Sequence, residues 1–299
     1  MKLFDCTTYH NEDLILETRF NILNKYFDKF VVCEAKFTHN GKEKKLNFDI
    51  KKFSKFKNKI IYIVQDKEPD DLVYKIYKDK TIEDDINIRL NSIKRITSQR
   101  NRLADALNEA GKDDLIFYSD NDEIPDLRNL DLKKINKKVI IFEQKLFYYK
   151  FNLYLDRIYW YGTRATKKKN LDSFQLLREI KPKKYEFYRI DTFFKKNKFM
   201  DLQIVKNGGW HFTRILSADE IHNRELETEH HDEYIKSNKN TKKIEDLIQR
   251  RVIDHDHLAD KKEYKFGKEF KLKMFNLDEL PEYIKNNTEK YKKYLDLDY

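Results

Sequence analysis

Four consecutive residues, Asp120-Asn121-Asp122-Glu123, place three carboxylates directly after the apolar run Asp114 to Ser119 and just ahead of Pro125. Carboxylates this crowded repel one another and need a cation or strong donors beside them. Hard oxygen ligands at that density suit Mg²⁺ or Mn²⁺, which can bridge to a diphosphate. An acidic loop capping the next helix has the same composition. Position at a strand end favours the metal, because open α/β sheets bind ligands beyond the carboxyl ends of their strands.

Gly208-Gly209-Trp210-His211-Phe212 is the second cluster. Paired glycines permit close backbone approach, Trp210 can stack on a sugar or base, and His211 can complete a metal shell. A tight turn with a core Trp and a satisfied His is the plainer reading of the same five residues. Nine aromatics between Phe142 and Tyr161, Trp160 and Tyr161 among them, make either a stacking platform for sugars or ordinary core and sheet surface. His255-Asp256-His257 looks like a metal site without an evident third ligand and reads better as a solvated helix end. His230-His231 with Asp232 and Glu233 is equally ambiguous.

These residues need a scaffold, and the hydrophobic pattern supplies one. Lys2 to Tyr9, Lys29 to Ala35, Ile60 to Gln65 and Asp114 to Ser119 read as strands. Between them, Asn11 can cap a helix over Glu12 to Tyr26. Thr81 to Ala110 carries a helical repeat (Ile86, Leu90, Ile93, Ile96, Leu103, Leu107) ending at Gly111. Alternation of this kind predicts an α/β fold with a central, mostly parallel sheet flanked by helices. From Val139 to Tyr161 the chain reads as successive strands. Ser217 precedes a helix beginning near Asp219, and Thr241 to Val252 looks helical.

Composition removes several classes. The six glycines form neither a Walker A loop nor a GxGxxG fingerprint, and no GxSxG elbow or HExxH helix occurs. Cys6 and Cys33 are too few for a disulfide scaffold or a cysteine zinc site. The longest wholly apolar run, Ile60 to Val64, is far short of the ~20 residues that cross a bilayer. The net charge of +10 is local: residues 131 to 200 hold 19 Lys and Arg against 7 Asp and Glu, so the remainder sums to −2. That basic, aromatic stretch leaves a nucleic-acid-binding protein as the alternative reading, although no recognisable RNA- or DNA-binding motif accompanies it.

In their order, the blocks LFDCTTYHNEDLILETRFNIL, FVVCEAKFTHNGKEKKLNF, QRNRLADAL, DDLIFYSDNDEIPD and NGGWHFTRILSADEI, followed by the weaker HHDEY, resemble glycosyltransferase family 17, the family of the bisecting β-1,4-N-acetylglucosaminyltransferase. Bacterial members more often read SHQEF where this chain has His230 to Tyr234.

The resemblance implies a GT-A-like fold and an inverting transferase. It implies a UDP-sugar donor, UDP-N-acetylglucosamine, a Mn²⁺ or Mg²⁺ cofactor, and a glycan or lipid-linked sugar as acceptor. It places one catalytic domain at 1–255, with a nucleotide-sugar half at 1–125 and an acceptor half at 126–255, and leaves 256–299 as a C-terminal extension packed on it. Eukaryotic members carry an N-terminal membrane anchor; this chain begins at its first strand, which suggests a cytoplasmic protein. By the same resemblance Asp120, Asp122 and His211 would hold the metal, and Arg100 would pair with the diphosphate. Asn11, Glu12, Glu34 and Asp120 would bind the rest of the donor, and Trp210, Trp160 and Tyr161 the acceptor. Asp219 is the first choice for general base, with Glu179 and Glu233 as rivals; a helix N-terminal carboxylate steadied by the macrodipole is an equal account of Asp219. Intact Asp120, Asp122, Trp210 and His211 argue against a member that has lost catalysis and only binds glycans.

Overall fold

The apolar run LFDCTTY forms strand β1 (Leu3–Tyr9), which pairs in parallel with β2 (Lys29–Ala35) on one side and β4 (Leu115–Ser119) on the other, while β2 pairs in parallel with β3 (Ile60–Gln65). The computed structural model describes residues 1–73, 82–183, 198, 201–228, 231–258 and 266–297. Successive side chains of a strand face opposite ways. Phe30 and Val32 of β2 and Leu115 and Phe117 of β4 accordingly enter one core, while Val31, Cys33, Ile116 and Tyr118 enter another. Burial on both faces explains why these strands read as unbroken apolar runs.

Helix α1 (Asp13–Leu23) covers the first face with Ile15, Leu16, Phe20 and Leu23. Its N-cap is Glu12, without a side-chain cap from Asn11, and the helix ends three residues short of the expected Tyr26. Arg19 and Asp5 form a fully buried ion pair, and Arg19 Nη1 also donates to the Glu123 carbonyl at 2.5 Å. Helix α2 (Ile82–Arg102) continues only as a short 3₁₀ turn, Leu103–Ala106. Gly111 is not its cap, since the Gly111 N–H donates to Asp114 Oδ2 at 2.8 Å. Ile96, Leu103 and Leu107 are buried, but Ile86, Leu90 and Ile93 lie exposed, so only the later part of the expected apolar stripe meets the sheet. Thr81 lies outside the described residues. Helix α3 (Phe174–Glu179) packs Phe174 and Leu177 into the second core.

Beyond β4 the sheet turns mixed. Its order is β3-β2-β1-β4-β7-β6-β9-β5, built from β5 (Glu123–Pro125), β6 (Val139–Tyr148), β7 (Leu153–Lys167) and β9 (Gly209–Thr213), with β8 (Leu202–Val205) also beside β6. Gly209 (φ +133°) lies against β5, where a Cβ would overlap the Ile124 carbonyl, so only glycine lets β9 reach β5. Helix α4 (Ala218–Glu225) starts in a capping box between Ser217 and Glu220; α5 (His231–Lys236) and α6 (Thr241–Gln249) follow.

The end of the chain is woven into the fold. β10 (Val252–His255) pairs with β11 (Phe266–Lys271), and β12 (Lys273–Met274) joins the main sheet at β7. Leu280, Ile284, Tyr291 and Leu295 enter the same core as α1. Among the described residues no helix is long and apolar enough to cross a membrane.

Candidate active site

A cleft of about 380 Å³ opens at the carboxyl ends of β1, β2 and β4. Thr8, Tyr9 and His10 at the end of β1, and Ala35 and Phe37 at the end of β2, line one end; Asp120, Asn121 and Asp122 follow β4 into its centre. Gln99 of α2 braces this end, donating to the Tyr9 and Cys33 carbonyls at 3.4 and 2.9 Å.

Asp120 is gripped by cations. Arg178 Nη2 lies 3.1 Å from its Oδ2, Arg100 Nη2 lies 3.3 Å from its Oδ1, and the Tyr118 hydroxyl donates to Oδ1 at 2.8 Å. Burial opposes ionisation, but the two guanidiniums and the Tyr118 hydroxyl prevail and hold the carboxyl well below the ordinary range. Arg178 also reaches Glu123 Oε1 at 3.3 Å, and its own pKa is raised, because those two carboxylates outweigh its desolvation.

Asp122 faces His211, with Oδ2 3.3 Å from Nε2. Burial disfavours the imidazolium, yet the Asp122 charge and hydrogen bond overcome it and raise the His211 pKa. His211 Nδ1 is buried without a hydrogen-bond partner. The Trp160 ring packs on His211 at 4.8 Å between centroids, and Trp160 Nε1 donates to Glu123 Oε1 at 2.6 Å.

The far end is built by β6, β9, α4 and the strand β10. The Tyr148 hydroxyl meets His257 Nε2, and the His255 ring meets that of His257 edge to face, 4.6 Å between centroids. Arg214, at φ +57°, sends Nε to Glu225 Oε1 at 2.7 Å and holds its guanidinium 5.6 Å from the Tyr148 ring. The triplet His255-Asp256-His257 is therefore not a helix end: His255 closes a strand, and both imidazoles line the cleft.

Of the residues given a role from sequence, Glu12, Arg100, Asp120, Asp122, Trp160 and His211 line the cleft together, beside His255 and His257. The others fall elsewhere. The Glu34 carboxylate is consumed by the backbone N–H groups of Asn47 and Phe48, by Lys44 and by the Tyr62 hydroxyl. Asn11 is exposed outside the cleft, with Arg224 Nη1 3.5 Å from its Oδ1. Trp210 packs in the core, ring parallel to Phe212, because β9 alternates and His211 takes the cleft side. The Tyr161 hydroxyl turns to Glu143 Oε2 at 3.0 Å. Asp219 is exposed and accepts from Thr241 Oγ1 at 2.8 Å; Glu179 is exposed and accepts from Gln175; Glu233 pairs with Arg89 at 2.8 Å. His230 lies outside the described residues. Sequence reasoning missed Arg178, and it gave no role of their own to Glu123, within the acidic run, or to Tyr148, within the aromatic stretch. Arg178 stands one residue before Glu179, a rival to Asp219 for the base, and on α3 the two side chains point in different directions.

Among the described residues no three His, Cys, Asp or Glu side chains converge to hold an ion alone. Asp122 and His211 nonetheless fit one: Mn²⁺ accepts carboxylate and imidazole, and such ions take their remaining ligands from water and substrate phosphate. Asp120 fits less well, since two arginines already occupy its oxygens.

The sequence matches the family described as Glycosyltransferase family 17 over residues 1–296. The chain thus belongs to glycosyltransferase family 17. Among solved structures it is similar to that of HddC from Yersinia pseudotuberculosis (TM-score 0.34, 9% identity, 70% of this chain and 92% of that chain). It is likewise similar to HddC complexed with GMP-PN (TM-score 0.34, 10% identity, 69% and 90%). No curated protein matches the sequence.

Proposed function

We propose that this protein is an inverting, GT-A-type transferase that moves a sugar, N-acetylglucosamine, from a UDP donor to a hydroxyl of a glycan or lipid-linked sugar. The observation that carries this reading, beside the family, is the Asp122–His211 pair in a cleft at the carboxyl end of β4.

The nucleoside lies at the ends of β1 and β2, where Thr8, Tyr9, Ala35 and Phe37 form the wall. The diphosphate then reaches the centre, where Arg100 and Arg178 offer positive charge already oriented by Asp120 and Glu123. Preorganised charge of this kind stabilises the leaving group without reorganising at the moment of reaction. A Mn²⁺ or Mg²⁺ ion, when held by Asp122 and His211, supplies further neutralisation of the diphosphate.

The acceptor enters from the far end, beside Trp160, Tyr148 and His257. In a single displacement its oxygen bonds to the anomeric carbon as the bond to diphosphate breaks, and a base takes the hydroxyl proton. Asp219, Glu179 and Glu233 do not line the cleft; Glu225, at the end of α4 on the acceptor side, does. We assign it the role of base.

Melting temperature measured with a panel of nucleotide sugars, with and without Mn²⁺, tests this reading. A ligand at 100 times its dissociation constant adds about 2.7 kcal/mol. A Mn²⁺-dependent shift with UDP-N-acetylglucosamine is expected; no shift with any UDP-sugar overturns it.

A further inference from the structure

Glu123 immediately follows the paired aspartates, yet it is fully buried and touches no solvent. A buried carboxylate is costly unless its oxygens are satisfied. Here both are. Oε2 accepts the Asp120 N–H at 3.0 Å, and Oε1 accepts Trp160 Nε1 at 2.6 Å together with Arg178 Nη2 at 3.3 Å. Its backbone is fixed as well. Arg19 donates to its carbonyl, and Glu123 is the cross-strand partner of His211 in the β5–β9 ladder.

These contacts run outward along two arms. One goes through the Asp120 N–H and through Arg178, which also holds Asp120 Oδ2. The other goes through Trp160, whose ring lies against His211. Both ends of the diphosphate site therefore rest on one carboxylate. A second feature points the same way. Gly162 leaves no room behind this cluster: a Cβ there would overlap the Gln144 side-chain oxygen and lie 2.8 Å from the Glu123 carboxyl carbon and 2.9 Å from Trp160 Cδ1.

We infer that Glu123 is a positioning residue that sets Asp120 and, through Trp160, His211 for binding of the donor diphosphate and its divalent cation, with Gly162 keeping the space in which it works. The inference rests on the reading of the cleft as a nucleotide-sugar site. Glutamine cannot replace it. An amide offers one acceptor oxygen, whereas Asp120 N–H and Trp160 N–H need one on each side, so one donor must face an NH₂ group.

The test uses the full chain and titrates Mn²⁺ in the presence of UDP, read by the shift in melting temperature. Loss of such a supporting contact weakens metal affinity by about 10-fold or more. Glu123→Gln and Gly162→Ala, folded by circular dichroism, are each expected to need about 10-fold more Mn²⁺ for half the shift. Adding Trp160→Phe to Glu123→Gln is expected to cost less than Trp160→Phe costs alone, because the two share the Trp160 arm. An unchanged Mn²⁺ requirement in the two single variants overturns the inference, as do independent, multiplying effects of Glu123→Gln and Trp160→Phe. If Glu123→Gln does not fold, Gly162→Ala and Trp160→Phe decide by the same criterion. A wild-type protein with no Mn²⁺-dependent shift overturns the function and this inference together; a wild-type shift with unchanged variants overturns the inference alone.

Discussion

His211 Nε2 and Asp122 Oδ2 stand 3.3 Å apart at the centre of the cleft; Asp122 ends the turn before β5, and its carbonyl is held to β9 by the Phe212 N–H at 2.8 Å. The backbone ladder fixes the pair before any ligand arrives. Asp122→Asn is therefore expected to lower turnover more than ~100-fold, the low end of what one charge-stabilising group supplies. Kinetics with UDP-N-acetylglucosamine check this, and retained activity removes Asp122 from the reaction. His211→Ala should raise the Mn²⁺ concentration for half activity.

Asp219 lies in the first turn of α4 and turns to Thr241, away from the cleft. Asp219→Asn should leave turnover near that of the wild type and cost no more than ~1 kcal/mol through the helix dipole. Glu225→Gln should bind UDP with an unchanged melting shift while losing transfer. The reverse pattern would return the role of base to Asp219.

Trp210 contributes packing. Its ring is 5% exposed, lies parallel to Phe212 and carries the Arg128 guanidinium 5.3 Å from its centre. Trp210→Ala should cost ~3–5 kcal/mol of stability, read as a lower urea midpoint. A stable variant with weakened transfer would instead place this indole on the acceptor.

Both thiols are sealed. Burial raises the Cys6 pKa and pushes Cys33 up to about 12. A thiol reagent at pH 8 should therefore leave the native protein untouched and titrate two cysteines in guanidinium. Groups whose folded pKa is raised stabilise fully below the unfolded thiol value, and that stability is lost as pH climbs from there toward the folded value. Cys33→Ala should flatten the alkaline fall in melting temperature; an unaltered slope would assign it to other groups.

β2 and β4 were legible because burial on both faces writes each one as a nearly continuous apolar run, and β3 is one too although only half-buried; β1 carries Asp5, Thr7 and Thr8. The acidic strand end was legible for the same reason: Asp120 interrupts such a run. The second half was harder. Trp210 and His211 are neighbours on one strand, so only one can face the cleft, and the sequence does not say which until β9 is placed between β6 and β5. His255 and His257 looked like a helix end because Thr241 to Val252 has helical spacing, whereas the helix stops at Gln249 and a strand begins at Val252. Arg178 and Glu123 were invisible as a pair: they are separated by 55 positions and meet only through the folded sheet.

Thr18 on the first helix shares a 2.8 Å hydrogen bond with the Tyr291 hydroxyl, 273 positions later, and Leu280, Ile284 and Leu295 cover the same apolar face. During synthesis from the N-terminus, the part of α1 that meets these residues stays uncovered until they have left the ribosome. Arg19, which fixes the Glu123 carbonyl, is carried by this same helix. Final seating of the helix that holds the Glu123 carbonyl is thus a late event in the life of the nascent chain, and a product truncated before Leu280 exposes an apolar helix face.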